Sequence, residues 1–270
     1  MMIRSTILAA FLAALPLSAS AAAAPDHADT DYLKDVLHET GAIASSPLRW
    51  ERNDWLEAGA VLGGAGAIYA GVDVAAQHAA FHNQSRVADG FADVGRGFGN
   101  GFYTVPALGA AYLIGETAHD RRLRRAALDA VESLAISGLF LTGAKVMAGR
   151  DRPYVGVGRG DWNGPSSGNS RYSFPSGHSA VAFSVATTFA TEYGDVPGVA
   201  PAAYALAALT GASRIYNNQH WASDVFVGGA LGYFTAKSVA RAHADKDGRW
   251  SFQAYPLPRG AGASIAFRFD

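Results

Sequence analysis

The chain of 270 residues contains no cysteine. Disulfides, thiolate nucleophiles and cysteine metal ligands are excluded, although the absence names no compartment. A surplus of charge is missing too: 22 Lys and Arg stand against 23 Asp and Glu, a formal net charge of −1, so nothing supports the basic face that nucleic-acid binding requires. Long hydrophobic runs are few. Most charge-free stretches are about 12 to 15 residues, short of the roughly 20 apolar residues that span a bilayer. The longer ones are interrupted by Pro, Gly, Asn or Tyr. A mean hydropathy of +0.06 is low for a six-span protein and favours a water-exposed helical bundle. The length and the 49% of hydrophobic residues suffice for one domain with a sizeable core.

What is present begins with an address. Arg4 gives a basic start, Ile7 to Leu17 an apolar run and Ala19-Ser20-Ala21 a small-residue cleavage pattern, so residues 1–21 are expected to be a secretory signal peptide. Residues 22–53 read as a polar surface arm with a short helix over Tyr32 to Glu39, and residues 54–245 as the helical domain. In residues 246–270 Trp250, Phe252 and Ala254, then Ile265, Phe267 and Phe269, alternate with polar residues, which predicts a small C-terminal β-hairpin.

Within the domain a long helix is expected from Asp54, followed by His78 and His82 as a helix-surface pair, since no acidic partner or third ligand accompanies them. The glycine-rich Asp89 to Phe102 reads as a loop or helix joint. Further helices are expected over Tyr103 to Thr117, from the Asp120–Arg125 turn on to Lys145, and over His178 to Tyr193, Ala200 to Ser213 and Trp221 to about His243. Tyr154 to Tyr172 is a polar loop that would lie over a site mouth, offering Arg159, Trp162, Arg171 and Tyr172 to a substrate; plain flexibility reads equally well.

Three stretches carry chemistry. In SRIYNNQHWASD, Ser213 to Asp224, the spacing of His220 and Asp224 would put a carboxylate one helical turn from the imidazole, where it accepts Nδ1–H and leaves Nε2 a free lone pair. Arg214 adds a planar fork of donors. A lone histidine at a helix end is more often a cap or core group, so the other two stretches decide. KVMAGRDRP supplies the cations Lys145 and Arg152. FPSGHSA reads as a turn opening a helix, where Ser176, Gly177 and His178 would turn amides and a hydroxyl toward an anion.

Together K-x6-RP at Lys145 to Pro153, PSGH at Pro175 to His178 and SR-x5-H-x3-D at Ser213 to Asp224 resemble the tripartite signature of the type 2 phosphatidic acid phosphatase (PAP2) superfamily. That superfamily also holds bacterial class A acid phosphatases and vanadium haloperoxidases. The resemblance implies an all-α, PAP2-type helical bundle and a metal-independent phosphatase acting on phosphomonoesters, lipid phosphates or diphosphates among them. In the implied reaction His220 attacks phosphorus, Asp224 orients it, and His178 protonates the leaving alcohol. Lys145, Arg152, Ser176, Gly177 and Arg214 hold the phosphoryl oxygens, with no metal and no other cofactor. Ser213 and Asp151 are expected to be structural, and Arg150 a surface charge. The expected location is periplasmic, with room for a peripheral membrane contact. A membrane-embedded lipid phosphatase of the same family is the alternative, and a vanadate-dependent haloperoxidase a more distant one.

Overall fold

The computed structural model describes residues 27–246 of the chain, and of residues 250–257 and 260–267 the backbone course alone. The signal peptide expected over 1–21 lies outside the described residues, as do the side chains of the expected C-terminal β-hairpin. Among the described residues nine α-helices run in order: α1 (Thr30–Ala44), α2 (Arg52–Gly71), α3 (Asp73–His82), α4 (Arg86–Phe98), α5 (Gly101–Thr117), α6 (Arg121–Ala148), α7 (Gly177–Glu192), α8 (Val199–Tyr216) and α9 (Ala222–Lys246).

Local chemistry sets most of the helix starts. The side chains of Ser85, Asn100, Asp120 and Ser176 each accept from a first-turn amide, that of Ala88, Phe102, Leu123 and Ser179 respectively. Glu51 and Asp54 close a reciprocal capping box on α2. At the other end of α6, Gly149 adopts φ 54° in the left-handed region, which stops the helix four residues past Lys145.

One expected loop is a helix. Glycine costs about 1 kcal/mol per residue in a helix interior, yet α4 runs through most of the glycine-rich stretch. It buries Ala92, Gly95 and Phe98, and the Gly95 carbonyl accepts from Thr210 Oγ1 of α8 at 2.8 Å. Tertiary packing outweighs the propensity. The long helix expected from Asp54 is two helices, α2 and α3, bent by 55° at Val72. His78 and His82 are exposed on α3, with His82 Nδ1 against the His78 carbonyl.

Helix α7 is the centre of the bundle and packs on α6, α8 and α9. Phe98, Leu108, Leu123, Val185, Phe189 and Tyr193 form the core, interleaved with buried alanines of α6, α7 and α8. The tightest approach joins α7 to α9. A Cβ on Gly228 or Gly232 would collide with the carbonyl oxygens of Ser176 and Ala180, so only glycine lets these backbones meet. The same approach sets the start of α9 beside the start of α7, where the Ser176 amide donates to the Asp224 carbonyl at 2.9 Å.

The outer helices are not dressed for water alone. Leu62 is 71% exposed, Phe91 59%, Phe102 79% and Leu113 63%. Among the described residues α6 is long and apolar enough to cross a membrane, as is the bent pair α2–α3 if taken as one span.

Candidate active site

Three chain segments meet at the site: the end of α6 with its following loop, the start of α7, and the α8–α9 junction. Lys145, on the last turn of α6, donates from Nζ to the carbonyls of Tyr172 at 2.7 Å and Pro175 at 2.6 Å. An ammonium has three protons, so one remains for a ligand. Arg152 donates to Gln219 Oε1 at 2.6 Å and Asn169 Oδ1 at 3.2 Å, while its buried Nε has no hydrogen-bond partner. Arg214 is 5% exposed, and neither its Nε nor its Nη1 has one. Burial, with Arg152 and Arg96 nearby, lowers the Arg214 pKa to about 10, which leaves it charged at neutral pH. Buried guanidinium N–H groups without acceptors are costly, and an anion is what they fit.

Both histidines stand in this positive field. Burial, then Arg214, His220, Arg152 and Lys145, pushes His178 down to about 3. Burial pushes His220 down to about 4, with Asp224 only partly opposing it. Without an anion both imidazoles are neutral at pH 7. One of them is therefore ready as a nucleophile.

The support of His220 differs from the expectation in one respect. His220 precedes α9 rather than lying on it, and its Nδ1 faces the Ser173 carbonyl at 2.6 Å while Asp224 Oδ2 stands at 3.8 Å. The carbonyl only accepts, so it fixes the proton on Nδ1 and leaves Nε2 as the lone pair. Asp224 acts at ion-pair distance. Its own oxygens are taken by Arg150 Nη1 at 2.5 Å, Ser173 Oγ at 2.5 Å and the Trp221 amide at 2.9 Å. Burial raises the Asp224 pKa, but the nearby His220 ring, the Arg150 guanidinium and the Ser173 hydroxyl hold it below the usual carboxylate value. Ser173 thus bridges the pair, its carbonyl to the histidine and its hydroxyl to the carboxylate.

Ser176 is committed in part to the fold. Its amide is given to Asp224, and its hydroxyl oxygen accepts from Ser179 N and Ser179 Oγ as the cap of α7. Its hydroxyl proton alone is left to offer. Gly177 and His178 occupy the first turn of α7, where amides have no acceptor within the helix.

Arg150, expected on the surface, is 1% exposed. It donates to Asp224, to Asp73 Oδ2 at 2.8 Å, to Ser223 Oγ at 2.8 Å and to the Arg159 carbonyl at 3.0 Å, with the Trp162 ring 4.8 Å from its guanidinium carbon. Asp73, fully buried, accepts from the Ser223 amide and hydroxyl, both at 2.7 Å. Arg159, through its carbonyl, and Trp162, through its ring, hold Arg150. Arg159 Nη1 donates to the Ala70 carbonyl, and Trp162 packs on Phe174. Tyr172 contributes its carbonyl to Lys145, and Arg171 is exposed. Ser213 and Asp151 are buried, with Ser213 Oγ donating to Thr210 O and the Asp151 carbonyl accepting from Trp221 Nε1.

The comparisons with known proteins fall on this same region. Residues 126–247 match the sequence pattern of the PAP2 superfamily. They are a PAP2 superfamily domain. Over 100 residues the chain is 42% identical to the lipid A 1-phosphatase of Porphyromonas gingivalis, a stretch that takes in 37% of this chain and 20% of that protein. The chain therefore spans about a fifth of that relative's length. In fold it is similar to the crystal structure of Aquifex aeolicus LpxE, with a TM-score of 0.51 and 21% identity over 63% of this chain and 95% of that one.

Arg150, Asp73 and Ser173 support this site, a role that the sequence motifs assign to none of them. A signal existed for one of them. Asp73 stands alone in GVDVAAQ, an acidic residue in an apolar run, and such a residue needs a buried partner.

Proposed function

We propose that the chain is a phosphatase that hydrolyses the phosphomonoester or diphosphate group of a lipid through a phosphohistidine on His220. The buried, acceptor-less N–H groups of Arg152 and Arg214 beside two neutral histidines carry this reading. Three equatorial phosphoryl oxygens would take the free proton of Lys145, the guanidinium edges of Arg152 and Arg214, and the amides of Gly177 and His178. His220 Nε2 attacks phosphorus, the P–O bond to the alcohol breaks, and His178 gives the leaving oxygen a proton. Water then attacks the same phosphorus as His178 takes its proton, and the P–N bond breaks to release phosphate. Asp224, held by Arg150 and Ser173, stabilises the imidazolium from 3.8 Å. A phosphoryl group met by three cations leaves no step that calls for a metal.

A fully protonated His178 is scarce in the free enzyme, so the proton arrives with the substrate. A phosphate monoanion beside neutral His178 has the same proton count as a dianion beside the imidazolium. Once bound, the anion offsets the three cations and favours the charged ring.

The lipid substrate rests on the apolar flank of α2 to α5 and on the kind of protein to which the chain is similar. The proposed location is extracytoplasmic, with residues 1–21 removed as a signal peptide and the flank against membrane lipid. Residues 54–245 would be the phosphatase domain. The alternation in residues 246–270 supports a β-hairpin on its edge.

Phosphate release in mild detergent from phosphatidic acid, a lipid A-type phosphate and an isoprenoid diphosphate, set against a sugar phosphate and a nucleotide, tests the reading. Lipid substrates should exceed soluble ones at least about tenfold in kcat/KM, or about 1.4 kcal/mol, with and without brief EDTA treatment at 25 °C. Release from none of them, or a strict need for added magnesium, overturns it.

A further inference from the structure

A second cluster of buried ionisable groups lies away from the phosphate site. Glu39 of α1, Asp129 and Glu132 of α6 and His243 of α9 meet, each at most 3% exposed. Glu132 is 13 residues from Lys145 along α6, about 20 Å at 1.5 Å per residue. His243 is 19 residues from Asp224 along α9, about 28 Å by the same rise. This cluster is not part of the catalytic machinery.

Its geometry is specific. His243 Nδ1 meets Asp129 Oδ1 at 2.8 Å, a hydrogen-bond distance. On the other side of the ring, Nε2 stands 3.3 Å from Glu132 Oε2 and 3.4 Å from Glu39 Oε2. Charge-assisted N–H···O bonds close to about 2.7–2.9 Å, and these two contacts do not. Neither oxygen of Glu132 nor Nε2 of His243 has a hydrogen-bond partner, although both residues are at most 1% exposed. One ligand atom from each of Glu39, Glu132 and His243 lies within 4.8 Å of the others. Zinc bonds of about 2.0–2.1 Å give a tetrahedron with edges of about 3.3–3.4 Å. The two contacts of Nε2 have that length.

Charge argues the same way. Three buried carboxylates face one imidazole, and Arg125 stands 3.8 Å from Asp129, on the far side from Nε2. Even with the ring protonated, the carboxylates facing it are in excess, and burial pushes Glu132 up to about 7. A dication between Glu39, Glu132 and His243 would remove that excess and give the bare atoms their partners.

We propose that Glu39, Glu132 and His243 bind a divalent transition ion, with zinc the species that this nitrogen and oxygen set suits, as a pin that fastens α1 to α6 and α9. Asp129 is the partner that orients the ligating ring, holding the proton on Nδ1 and leaving Nε2 to the metal. The pin explains why the segment ahead of the PAP2 domain docks, with Tyr32 and Glu39 buried and Tyr32 Oη donating to the Leu128 carbonyl at 3.0 Å.

The test uses the full chain without a histidine tag, equilibrated with zinc sulfate, desalted, and measured for zinc per chain by mass spectrometry and for melting temperature. Wild type should hold about one zinc, and so should His220→Ala, whose change lies in the other site. Glu132→Gln and His243→Gln should lower occupancy at least about tenfold. Chelation of wild type should lower the melting temperature on the order of 10 °C, and zinc should restore it. Should either variant fail to fold, the wild-type comparison decides: occupancy below about 0.1 with a melting temperature indifferent to zinc and chelator overturns the site. Equal zinc in folded Glu132→Gln overturns the ligand assignment. The phosphatase reading stands or falls separately, since no arm measures turnover.

Discussion

Arg150→Met is the perturbation that separates a buried organising charge from a surface one. Methionine fills much of the same volume and stacks on Trp162, but it removes the donors that meet Asp73 and Asp224, both fully buried. Stripping one partner from a buried ion pair costs about 3–5 kcal/mol. Here each carboxylate keeps two other donors, Ser223 N and Oγ for Asp73 and Ser173 Oγ and Trp221 N for Asp224. The loss should therefore lie near the low end, about 3 kcal/mol. Turnover should fall on the order of tenfold to a hundredfold, as Asp224 loses its one cationic hydrogen-bond donor among the described residues while Ser173 still fixes the proton on His220 Nδ1. Denaturant unfolding in detergent gives the first number and phosphate release the second. Adding Asp73→Asn removes one uncompensated carboxylate and should recover about 1 kcal/mol or more, a coupling that a double-mutant cycle measures. A surface arginine would cost no more than about 0.5 kcal/mol. A value that small for Arg150→Met, with full activity, refutes the arrangement.

Further predictions concern the reacting groups. The kcat/KM profile should be bell-shaped and acidic: it falls below about pH 4 as His220 gains a proton, and above about pH 6, the second phosphate pKa, as the substrate monoanion is lost. A plateau extending through pH 8 would remove the proton-delivery argument. Stability without ligand should also decline as pH drops from about 6.5 toward 3. Both histidines have folded pKa values below the unfolded one, so the unfolded chain binds more protons there. Arg214→Ala should lower kcat/KM by at least about 3 kcal/mol, a hundredfold or more, and Arg214→Lys should recover little because an ammonium cannot replace a planar fork. Recovery to within threefold by lysine would mean that charge alone matters.

The parts of the site legible in the sequence are those whose meaning is local. KVMAGRDRP, PSGH and SR-x5-H-x3-D carry their cations, helix start and histidine within a dozen residues each, and the fold brings all three together. Arg150 was not legible, because its partners lie 77 and 74 residues away in sequence and a glycine and an aspartate flank it. The same holds for α4, whose glycines argue locally for a loop and whose helix exists through the small-residue face it buries on α8. Ser176 was legible only in part. A serine at a helix start reads as an anion donor through amide and hydroxyl, but the amide goes to the Asp224 carbonyl and the hydroxyl oxygen to the α7 cap, which leaves the hydroxyl proton.

The proposed reaction turns on which atom carries the phosphoryl group. A quench of wild type in base during turnover of a labelled substrate, followed by mapping of the labelled peptide, should place one acid-labile, base-stable phosphate on His220, and none in His220→Ala. Label on another residue, or turnover near the wild-type rate in His220→Ala, would contradict it.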